Sequence, residues 1–243
     1  MGIKKVLKIL LALLAGLVLA LSGFWIYVQW KTYPADMNYL SAVRADQGLS
    51  IVEKSRYYVL TPTKGNPGSV PIIFYPGGLV APQSYLYKMG KISLLLDAEV
   101  YIIKAPFNAS IFDVHAAKRI MERYGIEQAW IGGHSLGGIS AGRFVEANPE
   151  KAFGLFLLGS YADRNLETFE GPVFSIMGLN DFVIQRDNYE KAKANLPSSA
   201  RIFEIEGMNH ADFGDYGRQK RDGESLLTND QVVEFMYSGF YNK

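Results

Sequence analysis

Three separate stretches of the chain carry side chains that together could perform nucleophilic catalysis. Residues 133–137 read Gly-His-Ser-Leu-Gly, a GxSxG pattern with Ser135 at its centre. A serine hydroxyl is a poor nucleophile at neutral pH, so it needs a base to take its proton and an acid to orient that base. His210 lies in the sequence GMNHADFG, and Asp181 ends the run PVFSIMGLND. We therefore predict Ser135 as the nucleophile, His210 as the general base and Asp181 as the acid.

The other histidines and aspartates fit these roles less well. His134 is inside the GxSxG motif, where its position points the ring away from the serine hydroxyl, and His115 falls in a predicted helix. Asp163 follows a predicted strand and is the reserve candidate for the acid. Asp212 and Asp215 follow the base in the chain, which breaks the order nucleophile, acid, base that accompanies a GxSxG serine. The sequence therefore offers one alternative for the acid and none for the base.

Acyl transfer also needs two backbone amides that stabilise the negatively charged oxygen of the tetrahedral intermediate. One donor is normally the residue after the nucleophile, here Leu136, and the other lies in the loop after an early strand. The run IIFYPGGLV at 72–80 provides that loop, and Gly77 and Gly78 let its backbone approach a substrate closely. We predict the amides of Gly78 and Leu136 as the two donors, with Leu79 as the alternative to Gly78.

These residues must be positioned by strands and helices that alternate along the chain. Short apolar runs rich in β-branched and aromatic residues are separated by longer amphipathic stretches, which is the pattern of an α/β protein whose mostly parallel sheet carries helices on both faces. The predicted strands are 51–60, 70–75, 100–103, 129–131, 153–158, 173–177 and 201–205, and the predicted helices are 84–96, 113–124, 135–147, 186–195 and 228–237. Asp113 and Thr228 are predicted to cap two of these helices, and TPTKGNPGS at 61–69 is predicted to be a loop or hairpin. The GxSxG serine therefore lies between a strand and a helix, on a turn that lifts its side chain above the sheet.

The N-terminal part of the chain is of a different kind. From 6 to 28 it is almost wholly apolar, and Lys8 is the only charged residue in this run. About 20 apolar residues span a bilayer as a helix, so the run is long enough for a transmembrane helix. Two lysines precede the run, and three aromatic residues lie at its far end: Lys4, Lys5, Trp25, Tyr27 and Trp30. This distribution favours a single-pass helix with the rest of the chain on the extracytoplasmic side of the cell membrane. A signal peptide cleaved near Ala20 and Ser22 is the alternative, although the apolar run is longer than a usual signal core.

Composition limits the remaining possibilities. We predict an anchor at 1–30, a polar connector at 31–50 and one catalytic domain at 51–243, which is long enough to bury a single core. The formal net charge is +1 and no long run of lysine and arginine occurs, so nucleic acid is not expected as a partner. The chain has no cysteine, which excludes disulfides, thiolate metal ligands and a cysteine nucleophile. The predicted chemistry needs no metal and no organic cofactor.

The motifs resemble those of the alpha/beta-hydrolase superfamily, and within it those of the small members related to dienelactone hydrolases. FYPGG, GGHSLGG, the aspartate of GLND and the histidine of NHADFGDYG occur in the family's order, and the resemblance covers the whole chain after the leader and connector. The resemblance implies an alpha/beta-hydrolase fold, a catalytic triad of Ser135, Asp181 and His210, and an oxyanion hole made by the amides of Gly78 and Leu136.

The sequence departs from the family pattern at three points. The oxyanion loop has Pro76-Gly77 where many members have His-Gly, a change that the amide geometry could survive. Few residues separate the predicted strands 153–158 and 173–177, too few for the helical lid of many lipases, so a shallow and open site is expected. Dienelactone hydrolases proper use a cysteine nucleophile, so the serine argues against that particular activity.

The predicted function is hydrolysis of an ester-type substrate, a carboxylic ester or lactone, through an acyl-enzyme on Ser135. An acyltransferase or perhydrolase with the same triad fits the same residues, because these activities differ only in the acceptor that reaches the acyl-enzyme. The alternative from another class is a membrane-tethered binding protein that keeps the hydrolase fold without catalysis. The aromatic residues Phe107, Tyr161 and Phe182 lie near the expected site and suggest an apolar pocket, but they do not identify the substrate.

Overall fold

The structure is a computed structural model that describes residues 3–64 and 68–241. Contacts within the chain define two compact units, Met1–Thr32 and Tyr33–Lys243. The boundary falls just after the predicted anchor, so most of the predicted connector 31–50 belongs to the second unit.

The first unit is a helix, α1 (Ile3–Lys31), and its segment Lys4–Lys31 is long and apolar enough to cross a membrane. A helix rises 1.5 Å per residue, so these 28 residues extend about 42 Å, more than the roughly 30 Å of hydrocarbon in a bilayer. Length and composition fit a membrane anchor, and they also fit a signal sequence.

The segment predicted as a connector contains a short helix, α2 (Met37–Ala45). The carboxylate of Asp36 caps its start by accepting a hydrogen bond from the Asn38 amide at 2.8 Å. Val43 is buried, and a Cβ placed on Gly90 would lie 3.1 Å from one of its methyl groups. Helix α2 therefore packs closely on the core, although one buried residue in nine leaves almost no periodic signal in the sequence.

Within the described residues, eight strands form one sheet in the order β1-β2-β4-β3-β5-β6-β7-β8. The β1–β2 and β2–β4 pairs are antiparallel and the remaining pairs are parallel. The strands are β1 (Leu49–Glu53), β2 (Tyr57–Pro62), β3 (Ile72–Tyr75), β4 (Val100–Ile103), β5 (Ala129–His134), β6 (Ala152–Leu158), β7 (Val173–Gly178) and β8 (Arg201–Ile205). The helices that follow α2 are α3 (Leu86–Leu96), α4 (Ala116–Tyr124), α5 (Leu136–Ala147), α6 (Arg186–Ala192) and α7 (Asn229–Phe240).

Both faces of the central strands are buried. In β3, Ile72 and Phe74 belong to one hydrophobic cluster, whereas Ile73 and Tyr75 belong to another. Successive side chains of a strand point to opposite faces, so the sheet separates two cores. A mostly parallel sheet covered on both faces is the fold class predicted from the sequence, and the structure confirms it.

The bounds of some predicted elements change for local reasons. The predicted strand 51–60 is in fact the hairpin of β1 and β2, closed where the Lys54 amide donates to the Tyr57 carbonyl at 2.9 Å. The predicted helix start at Asp113 is wrong, because its carboxylate pairs with Arg119 instead of capping and α4 begins three residues later. Of the predicted loop 61–69, the first two residues end β2, and positions 65–67 lie outside the described residues.

The predicted cap at Thr228 is confirmed. Its hydroxyl accepts a hydrogen bond from the Gln231 amide at 3.3 Å, and the Gln231 side chain accepts one from the Thr228 amide at 2.9 Å. This reciprocal pair is a capping box, which fixes the start of the last helix.

A buried ion pair ties α3 to the loop after β8. The Lys88 ammonium donates to the Asp215 carboxylate and to the Gly214 carbonyl, the latter at 3.2 Å, and the two charged side chains are 1% and 3% exposed. Burial lowers the pKa of Lys88 and raises the pKa of Asp215, while the attraction between the two charges opposes both shifts. The buried Lys88 ammonium and the buried Asp215 carboxylate therefore each stabilise the charged form of the other.

We expect Lys88→Met to lower the free energy of unfolding by about 3–5 kcal/mol, because it leaves the Asp215 carboxylate buried without its countercharge. The measurement is urea denaturation of the full-length protein in detergent. Lys91→Met is the matched control, since Lys91 pairs at 3.4 Å with the more exposed Asp46 and its loss should cost about 0–1 kcal/mol. Equal effects of the two substitutions would contradict this account of the buried pair.

Candidate active site

Ser135 lies on the turn between β5 and α5, where the sequence places it. Its backbone has φ 54° and ψ −124°, a region that residues with a side chain rarely adopt. The Ser135 amide donates to the Leu158 carbonyl at 3.0 Å, and the Ser160 hydroxyl donates to the Ser135 carbonyl at 2.6 Å. These bonds to the end of β6 hold the strained turn in place.

Crowding explains the two glycines of the GxSxG motif. A Cβ on Gly133 would lie 2.4 Å from the Tyr75 carbonyl oxygen, and a Cβ on Gly137 would lie 1.9 Å from the same oxygen. Backbone atoms cannot move aside for a side chain at such distances, so both positions require glycine. The turn thus packs directly against the end of β3.

His210 and Asp181 are in contact. The His210 Nδ1 atom lies 2.7 Å from Asp181 Oδ2, and both side chains are fully buried. The other carboxylate oxygen of Asp181 accepts hydrogen bonds from the amides of Val183 and Ile184 at 2.9 and 3.0 Å. With Nδ1 turned to the carboxylate, the second ring nitrogen, Nε2, is the one available to act as a base. Among the described residues, Nε2 has no hydrogen-bond partner.

The histidine lies against the turn that carries the serine. Its ring centroid is 4.5 Å from that of His134, the residue directly before Ser135. A Cβ on Gly159, at the end of β6, would lie 3.2 Å from His210 Nδ1. His210 is therefore close to both segments that flank the serine, although the Ser135 hydroxyl makes no hydrogen bond to Nε2 within the described residues. Such contacts are often long or poorly aligned before a substrate binds.

The two predicted oxyanion donors are neighbours. A Cβ on Gly78 would lie 3.5 Å from the Cβ of Leu136. The amides on either side of Gly78 are already used, since Gly77 donates to the Tyr85 hydroxyl at 3.0 Å and Leu79 donates to the Asn108 carbonyl at 2.7 Å. The alternative donor, Leu79, is thus engaged elsewhere, whereas the Gly78 amide donates no hydrogen bond within the part of the chain that the structure describes.

Two buried residues, Tyr85 and His134, support the oxyanion loop, and of these the sequence did not indicate Tyr85. The Tyr85 hydroxyl accepts the Gly77 amide and lies 2.8 Å from His134 Nδ1. Burial lowers the pKa of His134 far below its usual range and raises that of Tyr85, so burial favours the neutral form of both side chains. His134 therefore has a structural role, and its ring lies against Tyr85 and His210. Tyr85 lies in a predicted helix with no motif around it, so no local signal could have identified it.

The remaining candidates are engaged elsewhere. Asp163, the reserve acid, receives two hydrogen bonds from the Arg143 guanidinium, and Asp215 is paired with the buried lysine. Asp212 forms a capping box with Asn209 in the histidine loop. His115 is exposed and directly precedes α4. The structure brings Asp181 rather than these residues to the histidine.

Ser135, Asp181 and His210 follow the carboxyl ends of β5, β7 and β8. The chain between β6 and β7 contains no helix in the described residues, which agrees with the expected absence of a lid from this insertion. Of the aromatic residues predicted near the site, Phe182 is 68% exposed, Phe107 is 40% exposed and Tyr161 is half-buried. No group of three or more His, Asp or Glu side chains that could hold a metal occurs in the part of the chain that the structure describes.

Comparisons with solved structures support the same architecture. The chain is similar to a predicted CIB-like hydrolase from Thermoplasma acidophilum, with a TM-score of 0.61 and 14% identity over 79% of this chain and 98% of that one. It is similar to MGS-MChE2, an alpha/beta hydrolase enzyme from the sediment metagenome of the Mar Chica lagoon in Morocco (TM-score 0.60, 17% identity, 79% and 97% coverage). It is also similar to carboxylesterase CesB (YbfK) from Bacillus subtilis (TM-score 0.58, 11% identity, 89% and 98% coverage). At these identities the likeness shows the fold alone.

Sequence comparison identifies the family. A search of curated proteins found no match. A family model described as the alpha/beta hydrolase family matches residues 71–234, which is more than half of the chain and includes the GxSxG turn, the aspartate loop and the histidine loop. The chain therefore belongs to the alpha/beta hydrolase family.

Proposed function

We propose that the protein is a serine hydrolase that cleaves an ester-type substrate through an acyl-enzyme on Ser135. The observation that carries this proposal is the buried contact of 2.7 Å between His210 and Asp181 beside the strained turn of Ser135. A carboxylate on one imidazole nitrogen favours the tautomer in which the other nitrogen is a base, and it stabilises the imidazolium that forms when that base takes a proton.

In the first step, the Ser135 Oγ atom attacks the carbonyl carbon of the ester and His210 Nε2 takes the hydroxyl proton. The amides of Gly78 and Leu136 donate to the resulting oxyanion, which lies near the positive end of α5. Collapse of the intermediate breaks the bond to the alcohol, which leaves with the proton from Nε2. Water then attacks the acyl-enzyme with the same histidine as base, and the carboxylic acid is released.

An ester-type substrate is favoured by two features. The neighbour from Bacillus subtilis is a carboxylesterase by name. The short connection between β6 and β7 leaves the serine, which is half-buried, at an edge without a helical insertion. The absence of a helix between β6 and β7 in the described residues is compatible with a small or flexible ester.

We also propose that α1 anchors the protein in the cell membrane with the catalytic unit on the extracytoplasmic side. The lysines at positions 4 and 5 precede the apolar run, and aromatic residues such as Trp25 and Trp30 lie at its other end. Positive charge before a first transmembrane helix favours the cytoplasm, and aromatic rings favour the headgroup layer. In domain terms, an anchor at about 1–30 then precedes the catalytic unit.

Ser135→Ala should lower kcat for a short-chain aryl ester by about 10⁶-fold, because it removes the nucleophile. A fluorophosphonate probe should label the wild-type protein on Ser135, as read by peptide mass spectrometry, and should not label the variant. Ser199→Ala, which removes an exposed hydroxyl in a turn, is the control and should keep full activity. Labelling at another residue, or full activity of Ser135→Ala, would reject the proposed nucleophile.

Asp181→Asn should lower kcat by about 10⁴-fold with little change in KM, because an amide at this position no longer selects the required tautomer of His210. The matched control is Asp163→Asn, which alters the reserve acid and its pairing with Arg143 but not the histidine, and it should leave kcat unchanged. Steady-state kinetics of the two variants decide between the acids. The opposite pattern would transfer the role to Asp163.

The full-length chain should remain in the membrane after an alkaline wash, with an intact N-terminus by mass spectrometry. Protease added to the extracytoplasmic face of sealed vesicles should digest the catalytic unit, whereas vesicles of inverted orientation should protect it. A chain that begins near position 23 and is released by the wash would instead identify the segment as a cleaved signal peptide.

A further inference from the structure

A buried carboxylate outside the predicted triad lies between the two loops that carry Asp181 and His210. Asp222 is in the loop between β8 and α7 and is 3% exposed. Its Oδ1 atom accepts hydrogen bonds from the amides of His210 at 3.2 Å and Gly223 at 2.9 Å, and its Oδ2 atom accepts from Ala211 at 3.0 Å. The same side chain therefore binds two consecutive amides of the histidine loop, one of them that of the base itself.

The carboxylate also reaches the loop of the acid. Its Oδ1 atom accepts a longer hydrogen bond, 3.4 Å, from the amide of Phe182, the residue that follows Asp181. One carboxylate thus contacts the backbone directly after the acid and the backbone of the base. These two loops follow the paired strands β7 and β8, and two backbone hydrogen bonds extend the pairing, from the Leu179 amide to the Ile205 carbonyl and from the Asn180 amide to the Met208 carbonyl, both at 2.9 Å. The hydrogen bonds of Asp222 lie beyond these two, at the acid and the base themselves.

Backbone contacts of the next two residues reinforce this arrangement. The Gly223 amide donates to the Asn180 carbonyl at 3.1 Å, and the Asn180 side chain donates to the Glu224 carbonyl at 2.8 Å. On the other side, the Asn209 side chain donates to the Gly223 carbonyl at 2.9 Å. A Cβ on Gly223 would lie 2.1 Å from the Asn180 oxygen, so glycine is needed for this close approach.

A buried carboxylate is unfavourable unless hydrogen bonds replace its hydration, and the four amide donors provide them. Its removal would leave the buried amides of His210 and Ala211, and the part-buried amide of Phe182, without this acceptor, so each loop would be free to shift. A displacement of about 1 Å at a reacting group can lower a rate by about 100-fold. The contact of 2.7 Å between His210 and Asp181 is sensitive to such a displacement.

We propose that Asp222 is a positioning residue that holds the histidine loop and the aspartate loop in register, and so maintains the contact between His210 and Asp181. The proposal rests on the serine hydrolase function proposed above. Asp222 makes hydrogen bonds to backbone amides and acts through them, without contact to the substrate.

The test compares Asp222→Ala and Asp222→Asn in the full-length protein. The alanine variant loses all four acceptor contacts, and we expect kcat to fall by about 100-fold with KM within about twofold of the wild type. The asparagine variant keeps one acceptor oxygen of the same geometry, and we expect about a tenfold fall. This partial rescue follows because the retained oxygen can still accept from the His210 amide.

Ser93→Ala is the matched control, because it removes another buried hydrogen bond, from the Ser93 hydroxyl to the Ala98 carbonyl at 2.7 Å, and Ser93 lies in α3, outside both catalytic loops. It should lower the unfolding temperature about as much as Asp222→Asn does but leave kcat unchanged. If all three variants lowered the unfolding temperature and none lowered kcat by more than twofold, Asp222 would have a purely structural role and the proposal would be overturned.

A second measurement does not depend on turnover. A proton on His210 Nδ1 that is hydrogen-bonded to a buried carboxylate gives a strongly downfield proton NMR resonance, which His210→Gln should abolish. We expect Asp222→Ala to weaken or shift this resonance and Ser93→Ala to leave it in place. An unchanged resonance in Asp222→Ala would overturn the proposal. Wild-type protein that showed this resonance but neither hydrolysed esters nor bound the fluorophosphonate would contradict the proposed function. The effect of Asp222→Ala on the resonance would then decide by itself whether Asp222 positions His210.

Discussion

The close packing of the Ser135 turn against the end of β3 is the constraint on which the rest of the site depends. A side chain on Gly137 would reach within 1.9 Å of the Tyr75 carbonyl, so only a glycine allows the turn to come this near. This approach places Leu136 beside Gly78, so that two residues from distant parts of the chain become neighbours. It also forces Ser135 into an unfavourable backbone conformation, which the hydrogen bonds to the end of β6 maintain.

Several buried polar groups lie behind the site, and their hydrogen bonds make this part of the core rigid. Each has a partner from a distant segment: His134 with Tyr85, His210 with Asp181, Lys88 with Asp215, and Asp222 with backbone amides. Polar groups removed from water are tolerated only when they are hydrogen-bonded, so these contacts restrict the loops to few arrangements. A preorganised arrangement of donors and acceptors is what stabilisation of an oxyanion and an imidazolium requires.

Much of this arrangement could be predicted from local patterns. The predicted strands 201–205 and 100–103 have the same bounds as β8 and β4, and the predicted cap at Thr228 is present. These predictions are correct because apolar runs and capping residues act within a few positions of the chain. The predictions were wrong where a contact between side chains or strands competed with the local preference of the sequence. Asp113 pairs with Arg119 instead of capping α4, and the single strand predicted at 51–60 folds back on itself as a hairpin. In both cases a contact with a nearby residue outweighed the local propensity.

By itself, the sequence determined the family, the α/β class, the position of the serine on a strand-to-helix turn and the presence of an apolar leader. All four are encoded in short motifs or in the length of an apolar run. Only the tertiary structure decided that Asp181 rather than Asp163 meets His210, that the Leu79 amide is occupied, and that Tyr85 and Asp222 support the site. These outcomes depend on contacts between residues that are far apart in the chain, and folding brings such residues together through packing that leaves no periodic or local trace. Hydrogen bonding of buried groups then selects one partner among several of the same chemical type, which residue type and spacing alone cannot do.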